Sequence, residues 1–171
     1  MENVINIAKM LFMRDLPHGG VYIDFTLKDG YDTLYMAKYA SEGDVFSFET
    51  DGSRMENVYR LLEKNFQDNV HVVREDPLEL KKYVRGGVDG FIADTTRVVL
   101  DEEKLIGIVS LAVDSLKKNG RGLVVVDGEM FGAYERLRQT FASYSRDVAS
   151  VIEMTESNTS APTAYIIEKV K

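Results

Sequence analysis

Five carboxylates punctuate this chain at the ends of short β-branched and aromatic runs. Asp24 lies in Val21–Phe25, Glu49 follows Val45–Phe48, Asp76 comes shortly after Val70–Val73, Asp94 follows Gly90–Ala93 and Asp127 follows Leu123–Val126. Brought together, such groups could accept from vicinal hydroxyls or an exocyclic amine, balance a cation, or take a proton from an attacking amine or hydroxyl. Asp24 and Glu49 stand about 25 residues apart, near the spacing at which nucleotide-binding sheets set an acid against ribose hydroxyls. Glu49 is therefore the ribose candidate, with a solvated acid at a strand end as its plainer reading. Asp76 is a candidate acceptor for an adenine amino group. It also precedes Pro77 and reads equally well as a helix cap, and one residue can do both. Asp94 and Asp127 are the candidates for base or hydrogen-bond acceptor.

Other chemistry is excluded by residue type. The chain has no Cys, hence no thiolate nucleophile, disulfide framework or zinc–cysteine site. Its two histidines, His18 and His71, read as a turn residue and a structural residue. No helix carries a His-x-x-x-His pair and no loop has the acidic ladder of a calcium site, so no metal is expected.

The elements that must position these acids alternate. Short apolar runs bounded by Gly, Asp or Pro predict strands buried on both faces of a mostly parallel sheet. Between them, helical spacing recurs at Thr33–Ala40, Met55–Phe66, Leu78–Val84, Leu105–Leu116 and Tyr134–Phe141. Asp32, Ser53 and Asp101 are expected as N-caps, Asp76-Pro77 as a helix start, and Gly120 and Gly122 as the close of the fourth helix. After Tyr144 the pattern changes: Val148–Ile152 and Ala164–Ile167 flank the polar loop Thr155–Thr163, which predicts an antiparallel hairpin. Residues 1–16 form an amphipathic N-terminal helix and 145–171 the terminal hairpin. With 171 residues the chain is expected to be a single domain, with no separate module to hold a substrate.

Five βα units closed by a hairpin resemble the class I S-adenosylmethionine-dependent methyltransferase fold. This is a Rossmann-like α/β sheet of seven strands with helices on both faces, whose seventh strand runs antiparallel between the fifth and sixth. The turn Asp24-Phe25-Thr26-Leu27-Lys28-Asp29-Gly30 has one glycine where a dinucleotide fingerprint needs three. S-adenosylmethionine carries no phosphate, so Gly30 and nearby backbone amides could seat its methionine part, with Asp24 facing its ammonium or sulfonium. The plainer reading is a strand-to-helix turn capped by Asp32.

In more detail the chain resembles the YtqB-type RNA methylases. Their first motif, Asp-x-Thr-x-Gly-x-Gly-x-Asp-Thr, is matched by Asp24, Thr26, Gly30, Asp32 and Thr33. Val45–Glu49 and Val124-Val125-Val126-Asp127-Gly128 match further, as do Asn158–Pro162 and the closing Glu168-Lys169. The resemblance covers nearly the whole chain. It implies S-adenosylmethionine as cofactor, held by Asp24, Thr26, Gly30, Asp32, Thr33, Glu49 and Asp76. It also implies an RNA or small-molecule acceptor near Asp94 and Asp127, contacted by Thr95, Thr96 and Asn158. Three departures stand out. Lys28 occupies the first motif glycine, where it must swing out or pair with Asp29 to avoid a sulfonium. Asp94–Val99 replaces the family's Asn-Leu-Gly-Tyr-x-Pro segment, and Asp127-Gly128-Glu129 replaces its His-Gly-His.

The net charge of −7, from 21 Lys and Arg against 28 Asp and Glu, argues against a strongly basic nucleic-acid-binding module. The basic groups at Lys81-Lys82-Arg85, Lys117-Lys118-Arg121 and Arg136-Arg138 read as solvated helix faces, with a small RNA-contacting patch as the lesser reading. No run reaches the roughly 18 apolar residues of a bilayer span, so the chain is expected to be cytoplasmic. A second copy of the chain remains open as a partner. Against the enzyme stands a catalytically silent homologue acting as a binding or regulatory module. A nucleotide-binding domain of other chemistry is the third reading.

Overall fold

The computed structural model describes residues 3–156 and 160–171. Seven strands form one sheet: β1 (Val21–Asp24), β2 (Asp44–Phe48), β3 (Val70–Val73), β4 (Val88–Asp94), β5 (Leu116–Val126), β6 (Ala149–Met154) and β7 (Thr163–Lys169). Their order is β3-β2-β1-β4-β5-β7-β6. The first five are mutually parallel, and β7 runs antiparallel between β5 and β6. Strand order reverses at β1 and β4, and the carboxyl ends of these neighbours open a crevice where such sheets bind ligands.

The helices are α1 (Val4–Met13), α2 (Tyr31–Tyr39), α3 (Gly52–Lys64), α4 (Glu102–Ser115) and α5 (Phe131–Ser143), with a 3-10 turn at Pro77–Lys82. One apolar layer joins the sheet to α4 and α5 through Ile23, Phe91, Leu105, Ile108, Val109, Val124 and Leu137. The opposite layer joins it to α1 and α2 through Ala8, Phe12, Met36, Tyr22, Ile92 and Leu123. A strand whose successive side chains enter both layers must be apolar throughout, and β5 is so from Leu123 to Val126. Among the described residues no helix is long and apolar enough to cross a membrane.

Four local expectations are corrected. The N-cap of α2 is Gly30 at φ +83°, and Asp32 sits inside the helix; the sharp exit from β1 needs a left-handed residue before the first turn. Asp51 caps α3 by accepting from the Ser53 amide, so Ser53 is itself helical. The third helix is only a 3-10 turn, although Asp76 does cap it. Gly120 and Gly122 do not close α4: that helix runs directly into β5 at Leu116, and both glycines lie in the strand. A Cβ on Gly120 would stand 2.9 Å from the Lys117 carbonyl and 3.0 Å from that of Asp89, so glycine is needed for close backbone approach.

Candidate functional site

The loop from Phe25 to Gly30 crosses the crevice, and buried hydrogen bonds fix its base. Asp24 is fully buried: its Oδ1 accepts from the Thr26 amide at 2.9 Å and its Oδ2 from the Thr33 hydroxyl at 2.6 Å. Thr33 also meets Ser47 at 2.8 Å, joining β1, α2 and β2. Burial, and then the nearby Asp32 charge, pushes the Asp24 carboxyl up to about 6. Asp24 therefore faces inward and holds the turn. Gly30 also packs inward, since a Cβ there would stand 2.8 Å from Val58 of α3.

Thr26 and Thr95 tie the strand ends together. The Thr26 hydroxyl oxygen accepts from the Asp94 amide at 2.9 Å. The Thr95 hydroxyl donates to the Val125 carbonyl and accepts from the Asp127 amide at 2.9 Å. Thr95 is buried in this role, whereas the partly exposed Thr96 donates through its amide and hydroxyl to Asp94 Oδ1, at 2.9 and 2.6 Å. The Asp127 carboxylate accepts from the Glu129 amide, closing its own turn. Asn158 lies outside the described residues.

Of the two courses open to Lys28, swinging out or pairing with Asp29, it takes neither as drawn: it turns to Asp94. Its Nζ meets Asp94 Oδ2 at 2.6 Å and Asp32 Oδ2 at 3.8 Å, with Thr96 Oγ1 at 3.4 Å. Lys9 of α1 closes on the other oxygen of Asp32. Four charges, Lys9, Asp32, Lys28 and Asp94, thus alternate in a partly buried line from α1 to the end of β4. Lys28 sits at φ +49°, a backbone that favours glycine, as befits the position of a motif glycine. Asp29 is left to pair loosely with Arg97 at 3.7 Å.

Above this base lies a cavity of about 240 Å³, walled by Phe25–Lys28, Phe48–Asp51, Arg54, Pro77, Val98–Leu100 and Lys104. Phe25 and Phe48, with ring centroids 6.2 Å apart, belong to the buried core and form its floor. Glu49 Oε1 accepts from the Thr50 and Asp51 amides at 2.8 and 2.9 Å, while Oε2 stands 3.4 Å from Arg54. Held in that way, Glu49 keeps lone pairs on Oε2 for a further donor. Asp76 pairs with Lys104 at 2.7 Å, which draws its carboxyl below the usual range despite partial burial. A neighbouring cavity of about 330 Å³, sharing Lys28 and Arg54, is framed by Asp29, Asn57 and Arg97. The pair falls within the size range of small-molecule sites, about 300–1,000 Å³.

Of the residues singled out in the sequence, Thr26 and Glu49 line the first cavity, and Asp94 joins it through Lys28. Asp24, Gly30, Asp32, Thr33 and Thr95 form its buried foundation. Arg54, Lys104 and Leu100 have no place in the sequence reading, whereas Arg97, Val98 and Val99 fall in its altered segment Asp94–Val99 without a role. Arg54 alone left a signal, three residues after Asp51 and five after Glu49. His18 bonds the Tyr39 carbonyl and His71 bonds Asp44, both away from these cavities. Among the described residues, no group of three or more acidic or imidazole side chains could hold a metal ion.

Strand order, crevice and cavity together define a class I methyltransferase fold. No protein-family model matches the sequence, nor does any curated protein. Solved structures do match. An rRNA methylase from Streptococcus thermophilus aligns over 100% of this chain and 99% of its own, with a TM-score of 0.87 at 16% identity. A Clostridium thermocellum protein provisionally named an rRNA methylase covers 100% and 98%, at TM-score 0.90 and 20% identity. A Streptococcus mutans protein provisionally named a methyltransferase, solved in complex with SAH, covers 99% of each chain, at TM-score 0.89 and 17% identity. At these identities the likeness is one of fold.

Proposed function

We propose that the chain is an S-adenosylmethionine-dependent methyltransferase acting on an RNA or small-molecule acceptor. The observation that carries this reading is the open cavity beside Glu49. Lys28, Phe25 and Tyr31 are the bulky side chains of the loop beside it, and none fills it. Lys28 folds toward Asp94, Phe25 belongs to the floor, and Tyr31 points largely to solvent. The lining suits the cofactor: Glu49 for ribose hydroxyls, the Val98–Leu100 wall for a base, and Asp76, salt-bridged to Lys104 of the wall, for an amino group. The Streptococcus mutans structure with SAH supports the choice.

When bound, the cofactor supplies an electrophilic methyl group. The chain's own contribution is positioning and the handling of one proton. Thr26 and Thr95 hold the ends of β1, β4 and β5 in register. Asp94, fixed by Thr96, accepts from the acceptor's amine or hydroxyl, and Lys28 neutralises it and orients Oδ2. Asp127 lies one strand further along. Cytoplasmic location and a homodimeric assembly belong to the same reading.

A second reading rests on the Lys28–Asp94 pair itself: with its carboxylate held at 2.6 Å by an internal cation, Asp94 has little to offer an acceptor. The chain would then bind the cofactor without turnover. Crystals soaked with S-adenosylhomocysteine test the shared claim: density between Phe48, Glu49 and Pro77 is expected, and an empty cavity at saturating ligand would reject it. Radiolabelled methyl transfer to total RNA and to small amines then separates the two readings.

A further inference from the structure

The second cavity is cationic in an acidic protein. Lys28, Arg54 and Arg97 face it against the single carboxylate of Asp29, on a chain whose net charge is −7. The three cations come from three segments: the loop after β1, the first turn of α3 and the loop after β4. Each guanidinium is held loosely. Arg97 meets Asp29 at 3.7 Å, and Arg54 meets Glu49 and Asp51 at 3.4 and 3.8 Å, so most of their five N–H donors stay free. Exposed pairs of this length contribute little and exchange readily for a better anion. Asn57 adds an amide on the same wall.

We propose that this cavity binds a phosphate group carried by the methyl acceptor. Two guanidinium forks converging on one space suit a tetrahedral anion with several charged oxygens, while the Lys28 ammonium stays paired with Asp94. The cofactor of the first cavity carries no phosphate, so the anion must come with the second substrate. Lys28 and Arg54 line both cavities, so a phosphate seated in the second holds its attached group beside the first. Lys28 and Arg97 both stand where the sequence departs from the family motifs, and both take left-handed backbone, at φ +49° and +62°. The term acceptor rests on the methyltransferase reading; the phosphate subsite does not.

The test is an amide chemical-shift titration of the full chain with uridine, uridine 5′-monophosphate, the dinucleotide UpU and inorganic phosphate. The expected result is saturable shifts around Lys28, Asn57 and Arg97 with the phosphorylated ligands and none with uridine. Tighter binding of the monophosphate marks a small phosphorylated acceptor, and tighter binding of UpU marks the phosphodiester of RNA. Arg97→Gln and Arg54→Gln, both at exposed positions, should each weaken binding about tenfold. Added salt should weaken it further. Equal affinity for uridine and its monophosphate, shifts confined to other surfaces, or unchanged binding in Arg97→Gln would overturn the proposal. S-adenosylhomocysteine titrated into the same samples keeps the two ideas apart. If it fails to bind while the monophosphate still binds through Arg97, the methyltransferase reading falls and the subsite stands.

Discussion

Replacing Lys28 by Met probes the charge line at the base of the site. The Lys28 and Asp94 side chains are 10% and 4% exposed, and their charged atoms lie 2.6 Å apart. Removing the ammonium leaves Asp94 Oδ2 buried without its cation, while Oδ1 keeps the two Thr96 donors. Breaking one side of a buried pair costs about 3–5 kcal/mol, a large share of the 5–15 kcal/mol typical of a domain. Lys28→Met should therefore lower the urea midpoint steeply, and Lys28→Met with Asp94→Asn should recover about 2 kcal/mol or more of that loss. Lys28→Gly removes the same charge but relieves a left-handed backbone at φ +49°, so it should be milder than Lys28→Met by about 1 kcal/mol. Urea unfolding followed by circular dichroism measures these proteins together with Asp94→Asn alone, which completes the cycle. A Lys28→Met variant within about 0.5 kcal/mol of the parent, or strict additivity in the double variant, would refute the claim that this pair is a buried, coupled unit.

Three further outcomes follow from the same geometry. With its folded carboxyl raised to about 6 against an unfolded value near 4, Asp24 makes the native state bind more protons between those limits. Its contribution to stability is thus fullest below pH about 4 and declines by up to about 3 kcal/mol as pH rises to about 6; in Asp24→Asn, unfolding curves across this window should lack that slope. Gly30→Ala must place a Cβ 2.8 Å from Val58 at φ +83°, and should cost about 2 kcal/mol or more in thermal or urea unfolding. Glu49→Ala should retain the parent's melting temperature within a few degrees but weaken S-adenosylhomocysteine binding at least about tenfold by calorimetry, through loss of a charge-assisted contact to the ribose.

The topology was legible because a parallel sheet covered on both faces demands continuous apolar strands, and Gly90–Ala93 and Leu123–Val126 advertise themselves in that way, whereas Val70–Val73, broken by the exposed His71, is a half-exposed edge strand. Boundaries were less so. At the α4–β5 junction no loop separates helix from strand, so glycines that resemble a helix stop serve instead where Lys117 and Asp89 carbonyls crowd the backbone. The N-caps of α2 and α3 fell to Gly30 and Asp51 because chain direction out of the strand, not the nearest capping side chain, decides where a helix begins.

At the strand ends, residue type marks which positions carry polar groups but not the orientation of each side chain. Asp24 and Thr33 match the motif yet face each other in the interior, where their hydrogen bond shapes the loop. Thr95 and Thr96 are adjacent and chemically equal, and only the alternation at the end of β4 sends one to Val125 and the other to Asp94. In the sequence, Lys28 at a motif glycine must swing out or pair with Asp29. Its partner proved to be Asp94, 66 positions away in sequence, a pairing made by the β1–β4 neighbour relation. Arg54 and Arg97 had no assigned role because a basic residue on a loop or first helical turn carries no pattern until two strands bring them to one cavity.

The central claim, that the cavity beside Glu49 holds the adenosyl cofactor, is tested most directly by calorimetric titration of the full chain with S-adenosylmethionine and S-adenosylhomocysteine. One saturable site per chain, lost or strongly weakened in Glu49→Ala, is the predicted result. Absence of heat and of any thermal shift at millimolar concentrations of both ligands would contradict it.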